Sequence, residues 1–151
     1  MYYYSKKING PFEETISKLI VSLQHQGFGV LTTIDVKDTL KKRLNVDFMR
    51  YKILGACNPQ FAYKALALEP TIGVMLPCNI AIQEHSHLET EVSAINPMET
   101  IAGAVDNPPL EELAKEVSAR LMAAIDELWA HSNSGFVSET VQDLSYEQSD
   151  E

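Results

Sequence analysis

The clearest structural signal in the chain is a predicted strand that passes directly into a helix, Tyr51-Lys52-Ile53-Leu54-Gly55-Ala56-Cys57-Asn58-Pro59. Residues 48–56 are rich in side chains that favour β-structure, so we predict a strand there. Asn58 suits the N-cap of a helix and Pro59 suits its first turn. We therefore predict a helix that runs from this junction through Leu68, where Glu69-Pro70 ends it.

The sequence on either side of this junction alternates between strand and helix patterns. Upstream we predict a strand over residues 2–8, a helix over 11–26, a strand over 28–34 and a short helix capped by Asp35. Downstream we predict a hairpin of strands 79–84 and 90–95, a short helical segment over 98–105 and a long amphipathic helix over 110–129. Residues 71–76 fit either a last helical turn or the start of a strand. The order β-α-β-α-β-α-β-β-α predicts an α+β fold, in which helices pack on one face of a curved, mainly antiparallel sheet.

The composition predicts one domain with a core of its own. The chain has 151 residues, of which 45% are apolar, and its net charge is −9. That charge argues against nucleic acid as a partner, because non-specific affinity for it comes from clustered Lys and Arg. No apolar run reaches the roughly 20 residues of a membrane span, and residues 1–7 lack the pattern of a secretion signal. We expect no membrane partner and a cytoplasmic location, where both cysteines stay reduced.

The charge is unevenly distributed along the chain. Residues 1–64 contain ten basic and five acidic side chains, whereas residues 65–131 contain two basic and eleven acidic ones. Residues 132–151 contain five acidic side chains, no basic ones and few apolar ones. We therefore expect a domain over residues 1–131 and an acidic tail over residues 132–151, either mobile or docked on a neighbour.

Two Cys-Asn pairs, Cys57-Asn58 and Cys78-Asn79, lie at predicted strand boundaries with a proline beside each pair. The helix that begins after Cys57 favours a thiolate there, and if the two strands are neighbours the sulfurs could form a redox pair or half of a metal site. The alternative is that both cysteines are small buried side chains beside asparagines that cap and turn the backbone. Because concave sites tend to form at strand ends, Cys57, Asn58, Cys78 and Asn79 are the candidate ligand or thiol site.

Two weaker candidate sites remain. Lys37, Lys41 and Lys52 belong to the only basic cluster and could bind a small anionic ligand, although a charged helix face is usually only solvated. His85 and His87 lie two residues apart, as a pair of metal ligands on a strand would, but residues in a hairpin loop are usually solvated. The chain has no recognised nucleotide, zinc-protease or triad motif, and we expect no cofactor.

Four motifs, in this order along the chain, resemble the DUF302 family, a domain of unknown function. They are Gly27-Phe28-Gly29-Val30-Leu31-Thr32-Thr33-Ile34-Asp35-Val36-Lys37, the junction quoted above, Leu76-Pro77-Cys78-Asn79 and Val92-Ser93-Ala94-Ile95-Asn96-Pro97. The resemblance runs from about residue 4 to residue 129. It implies a small bacterial or archaeal α+β domain that is dimeric and similar in topology to the TATA-binding protein, with no established enzyme activity. The segment His85-Ser86-His87 and the acidic tail depart from the family pattern.

Together these features predict a homodimer that binds a small ligand or a partner and has no established reaction. Two alternatives stay open. One is a thiol-based enzyme or redox sensor that uses Cys57, and the other is a purely structural association module.

Overall fold

The protein's structure, a computed structural model, describes residues 1–101 and 103–133. Its strands are β1 (Tyr3–Asn9), β2 (Gly29–Asp35), β3 (Tyr51–Cys57), β4 (Cys78–Ser86) and β5 (Glu89–Ile95). Its helices are α1 (Phe12–His25), α2 (Val36–Leu44), α3 (Pro59–Leu68), α4 (Pro97–Thr100) and α5 (Pro108–Asn133). A 3-10 helix, Pro70–Met75, follows α3. The predicted acidic tail lies almost entirely outside the described residues.

The five strands form one sheet in the order β1-β5-β4-β3-β2, and every neighbouring pair is antiparallel. Helices α1 and α5 pack together on one face of this sheet. The predicted α+β class and its antiparallel sheet are therefore confirmed, while similarity to the TATA-binding protein topology stays a prediction. Strands β1 and β2 form the two edges of the sheet.

The core lies between the sheet and these two helices. Strand β5 shows how it is built, because Thr90, Val92 and Ala94 are buried while the side chains between them are only half-buried. Helix α5 buries apolar side chains at helical spacing, among them Leu121, Ile125 and Leu128. No helix in the described part of the chain is both long and apolar enough to cross a membrane.

The largest departures from the predicted elements lie beside β3 and in the β4–β5 hairpin. Strand β3 begins at Tyr51, later than predicted, because Asn45 ends α2 in a left-handed conformation (φ 52°) and residues 45–50 form an exposed irregular segment. The hairpin turn is shorter than predicted, since β4 and β5 stay paired out to Ser86 and Glu89. The ambiguous residues 71–76 are mostly in the 3-10 helix.

Candidate functional site

A cavity of about 340 Å³ lies between α3, α5 and the ends of β3 and β4. Apolar side chains form most of its wall, including Phe28, Phe61, Leu76, Ile101, Leu113 and Val117. Among the described residues that line it, only Asn58, Cys57 and Cys78 carry a polar atom in the side chain. Two further lining residues, Leu31 and Leu66, are 68% and 42% exposed, so the cavity opens to solvent beside them.

Both cysteines reach this cavity because the two strands that carry them are neighbours. Ala56 of β3 pairs with Cys78 of β4, and Cys57 is the next residue along β3. Asn58 then caps α3, and its Oδ1 accepts a hydrogen bond from the N–H of Phe61 at 3.4 Å. The structure thus brings Cys57, Asn58 and Cys78 together around one apolar space.

Two glycines leave room for this arrangement. Gly27 has φ 84°, and a Cβ there would lie 2.8 Å from Nδ2 of Asn58. At Gly55 a Cβ would lie 2.7 Å from Cγ of Pro77 and 2.2 Å from Oγ1 of Thr32. Gly55 therefore allows the ring of Pro77 and the hydroxyl of Thr32 to pack directly against β3.

The cavity wall carries no charged side chain among the described residues. Burial raises the pKa of Cys78 to about 11, and the nearby Cys57 adds to that rise. Cys78 is therefore a neutral thiol at physiological pH and behaves as a small apolar group. Cys57 is half-buried. The site is suited to hold an uncharged apolar group rather than an ion.

Asn79, the fourth residue of the candidate site, lies elsewhere. Successive side chains of a strand point to opposite faces, so the burial of Cys78 turns Asn79 toward the uncovered face of the sheet. There it lines a separate groove of about 450 Å³ together with Tyr3, Tyr51 and Glu91. The repeated Cys-Asn pair suggested one site, but the alternation of side chains along β4 places Cys78 at the cavity and Asn79 at the groove on the other face.

In the hairpin, His85 lies beside a carboxylate of the neighbouring strand. Nε2 of His85 lies 2.7 Å from Oε1 of Glu91, and the hydroxyl of Ser5 donates to the other carboxylate oxygen at 2.7 Å. Both hydrogen bonds lower the pKa of Glu91, and the one with His85 has the larger effect. His87 is exposed and takes no part in this group. Nowhere in residues 1–101 and 103–133 do three or more His, Cys, Asp or Glu side chains lie close enough to hold a metal ion.

Of the three candidate lysines, Lys37 and Lys41 line one groove of about 390 Å³, and Lys52 lies outside it. Nζ of Lys37 donates to the Phe48 carbonyl at 2.7 Å, Lys41 pairs with Asp47 at 3.1 Å, and Lys52 pairs with Glu13 at 3.2 Å.

The lysines also lie far from the thiols. In the β2–β3 pair, Lys52 is opposite Asp35 and Cys57 is opposite Gly29, so the two lie at opposite ends of the ladder. None of the three candidate lysines therefore lines the cavity.

Sequence reasoning did not identify the helical walls of the cavity. Ala62 and Ala65 of α3 and Ala114 of α5 line it, and their small side chains leave the space open. The available signal was the run of small residues on α3 beside the Cys57-Asn58 junction. Nothing in the sequence indicated that α5, which begins about 40 residues after α3 ends, would complete the wall.

Comparison with known proteins finds a matching family model and matching solved structures. A family model described as "Domain of unknown function DUF302" matches residues 4–128. The chain is 31% identical to an uncharacterized conserved DUF302 protein from Bacillus stearothermophilus, known from a crystal structure. That match covers 83% of this chain and 97% of the other, with a TM-score of 0.76. No curated protein matches the chain.

Proposed function

The chain belongs to the DUF302 family, a domain of unknown function, and we propose that it binds a small apolar molecule in the cavity between α3 and α5. The observation that carries this proposal is the cavity of about 340 Å³ with an uncharged, almost entirely apolar wall. Ligand pockets typically have volumes of about 300–1,000 Å³ and are lined mainly by apolar side chains. An apolar space of this kind offers water few hydrogen-bond partners, so an apolar molecule is its favoured occupant.

The volume also sets the size of the ligand. An apolar cavity of about 150 Å³ holds one benzene molecule. By that scale a cavity of about 340 Å³ suits roughly 12 to 15 non-hydrogen atoms. Among the described residues that line the cavity, only Asn58 has a side chain that hydrogen-bonds strongly, so we place any polar group of the ligand near the start of α3.

Native mass spectrometry of freshly purified, reduced, full-length protein tests this function. We expect a retained molecule, or one equivalent of naphthalene after incubation with it. The variant Ala114→Leu, which fills part of the cavity, should retain less of either molecule. A mass equal to the bare polypeptide before and after incubation would contradict the proposal. A dimer without any retained or added molecule would instead support a purely structural association module.

We propose further that the protein acts as a homodimer in the cytoplasm and that the uncovered face of the sheet forms its interface. This face carries three tyrosines and two isoleucines, the kinds of side chain that interfaces favour: Tyr2, Tyr3, Tyr51, Ile53 and Ile95. Lys7 lies beside Glu89 at its rim, 3.9 Å apart. In a two-fold arrangement Lys7 can also pair with Glu89 of the partner subunit.

Sedimentation at micromolar concentration tests the dimer. We expect a dimer for the wild type, a monomer for Tyr51→Glu and a dimer for the control Tyr63→Glu, whose side chain is 75% exposed on α3. A wild-type monomer would contradict the dimer, and a dimeric Tyr51→Glu variant would contradict the interface.

A second candidate function, a thiol-based enzyme or redox sensor, is favoured by one observation: Cys57 is only half-buried and lines the same cavity as a second thiol. The raised pKa of Cys78 leaves Cys57 as the candidate nucleophile. This function requires rapid alkylation by iodoacetamide at neutral pH that the variant Cys57→Ser lacks. Alkylation no faster than that of an ordinary thiol would exclude it and leave ligand binding as the function of the cavity.

A further inference from the structure

An exposed apolar surface lies at the end of the sheet where β2 passes into α2. We call it the α2 shoulder, and its apolar side chains are 38–66% exposed: Leu44, Val46, Phe48 and Met49. Helix α2 buries none of its residues against the rest of the domain. Within the described part of the chain, nothing covers this surface.

The α2 shoulder also carries cationic side chains that lack an ion-pair partner among the described residues. Lys41 pairs with Asp47 and Lys42 with Asp38 at 3.1 and 3.0 Å, and Lys37 donates to the Phe48 carbonyl at 2.7 Å. Arg43 and Arg50, in contrast, have no ion-pair partner among residues 1–101 and 103–133. The surface therefore fits an occupant that combines apolar side chains with carboxylates.

Residues 134–151, outside the described residues, have this composition. They contain five acidic side chains, no Lys or Arg, and the apolar residues Phe136, Val137, Val141, Leu144 and Tyr146. From this complementarity we infer that residues 134–151 bind the α2 shoulder of the same chain.

The geometry of the fold allows this contact. Helix α5 ends at Asn133, whose Oδ1 accepts a hydrogen bond from the side chain of Asn9 at 2.9 Å. Asn9 pairs with Glu89, which lies in the β4–β5 hairpin. Glu84, in the same hairpin, donates its N–H to the carbonyl of Arg50, next to the α2 shoulder. The C-terminus of α5 and the α2 shoulder therefore lie at the same end of the sheet.

The segment is also long enough. Four strand spacings of about 4.8 Å put β2 about 19 Å from β1. An extended chain of 18 residues (134–151) spans up to about 60 Å. Because the segment belongs to the same chain, its effective concentration at the shoulder is high, which favours this contact over one with a second copy.

Photo-crosslinking of the full-length protein tests the inference. A benzophenone amino acid in place of Tyr146 should crosslink in the monomer band to residues 34–50, as read by peptide mass spectrometry. The variant Arg43→Glu should lower the crosslinking yield about two- to five-fold, the range expected for one exposed ion pair. The control Lys64→Glu, an exposed cation on α3 without an ion pair in the described residues, should leave the yield unchanged.

Three results would overturn the inference: crosslinks on other surfaces, a yield that Arg43→Glu does not change, or crosslinks confined to a dimer band. The last result would assign the segment to the shoulder of a second copy. Hydrogen exchange supplies a second readout, because Arg43→Glu should also deprotect the amides of residues 134–151. None of these outcomes depends on whether the cavity binds a ligand.

Discussion

Two alanines of α5 provide a matched test of the cavity. Ala114 and Ala124 are both buried, with 3% and 0% of their surface exposed, but only Ala114 lines the cavity. The substitution Ala114→Leu places an isopropyl group in open apolar space. The substitution Ala124→Leu forces the same group into the close-packed core between α5 and the sheet.

The two substitutions should therefore change stability in opposite directions. The added group amounts to about three buried methylenes, worth about 2.4 kcal/mol at about 0.8 kcal/mol each. Ordering a leucine side chain costs about 0.5–1 kcal/mol. We expect Ala114→Leu to stabilise the ligand-free protein by about 1.5 kcal/mol, and Ala124→Leu to destabilise it by about 1–3 kcal/mol through overpacking.

Urea unfolding of the full-length variants, followed by the fluorescence of Trp129, measures both values. The protein is first unfolded and refolded so that any retained molecule is removed. The slopes of the transitions should stay equal, which shows that the midpoints report stability. If Ala114→Leu destabilised the protein as much as Ala124→Leu does, the space between α3 and α5 would not be open, and a ligand site there would be contradicted.

Three further predictions concern the residues that shape the site. Asn58→Ala should lower the free energy of unfolding by about 0.5–2 kcal/mol through loss of the α3 cap, whereas Asn58→Asp should keep most of it, as thermal melts would show. Gly55→Ala should destabilise by more than 1 kcal/mol, since its Cβ would lie 2.2 Å from a neighbouring hydroxyl oxygen. Its control Gly29→Ala, which meets nothing within 4 Å, should stay within about 0.5 kcal/mol of the wild type in urea unfolding. The pKa of Cys78 is raised from 9.0 to about 11 in the folded protein, so the unfolded chain loses the thiol proton at lower pH. The free energy of unfolding should therefore fall as pH rises between those two values, and Cys78→Ser should make this fall smaller.

Local signals in the sequence predicted the elements of this fold well. The caps are an example: Asp35 accepts a hydrogen bond from the N–H of Asp38 at 2.9 Å, and Asn58 caps α3, both at the predicted positions. Side-chain and backbone hydrogen bonds over a few residues decide such features, so they are readable from one segment. The cavity is different, because its walls come from α3, α5 and two strand ends whose meeting depends on the whole tertiary structure.

The charge pattern shows the same limit. The sequence separates a basic first half from an acidic second half, but the fold interleaves them. Strand β1 pairs with β5, which brings Lys7 to 3.9 Å from Glu89, and Tyr4 donates a hydrogen bond to Asp126 of α5. At the α2 shoulder, in contrast, Arg43 and Arg50 have no ion-pair partner among the described residues. A separation of charge along the sequence produces oppositely charged surfaces only where the fold keeps the basic and acidic halves of the chain apart.

A titration of the wild-type protein with benzene, followed in a two-dimensional amide NMR spectrum, shows whether the cavity between α3 and α5 binds an apolar molecule. We expect saturable shifts confined to residues around the cavity, such as Cys57, Ala65 and Val117. These shifts should saturate only at higher benzene concentration in Ala114→Leu and stay as in the wild type in Ala124→Leu. Shifts that are absent, scattered over the surface or unchanged in Ala114→Leu would contradict a binding site between α3 and α5.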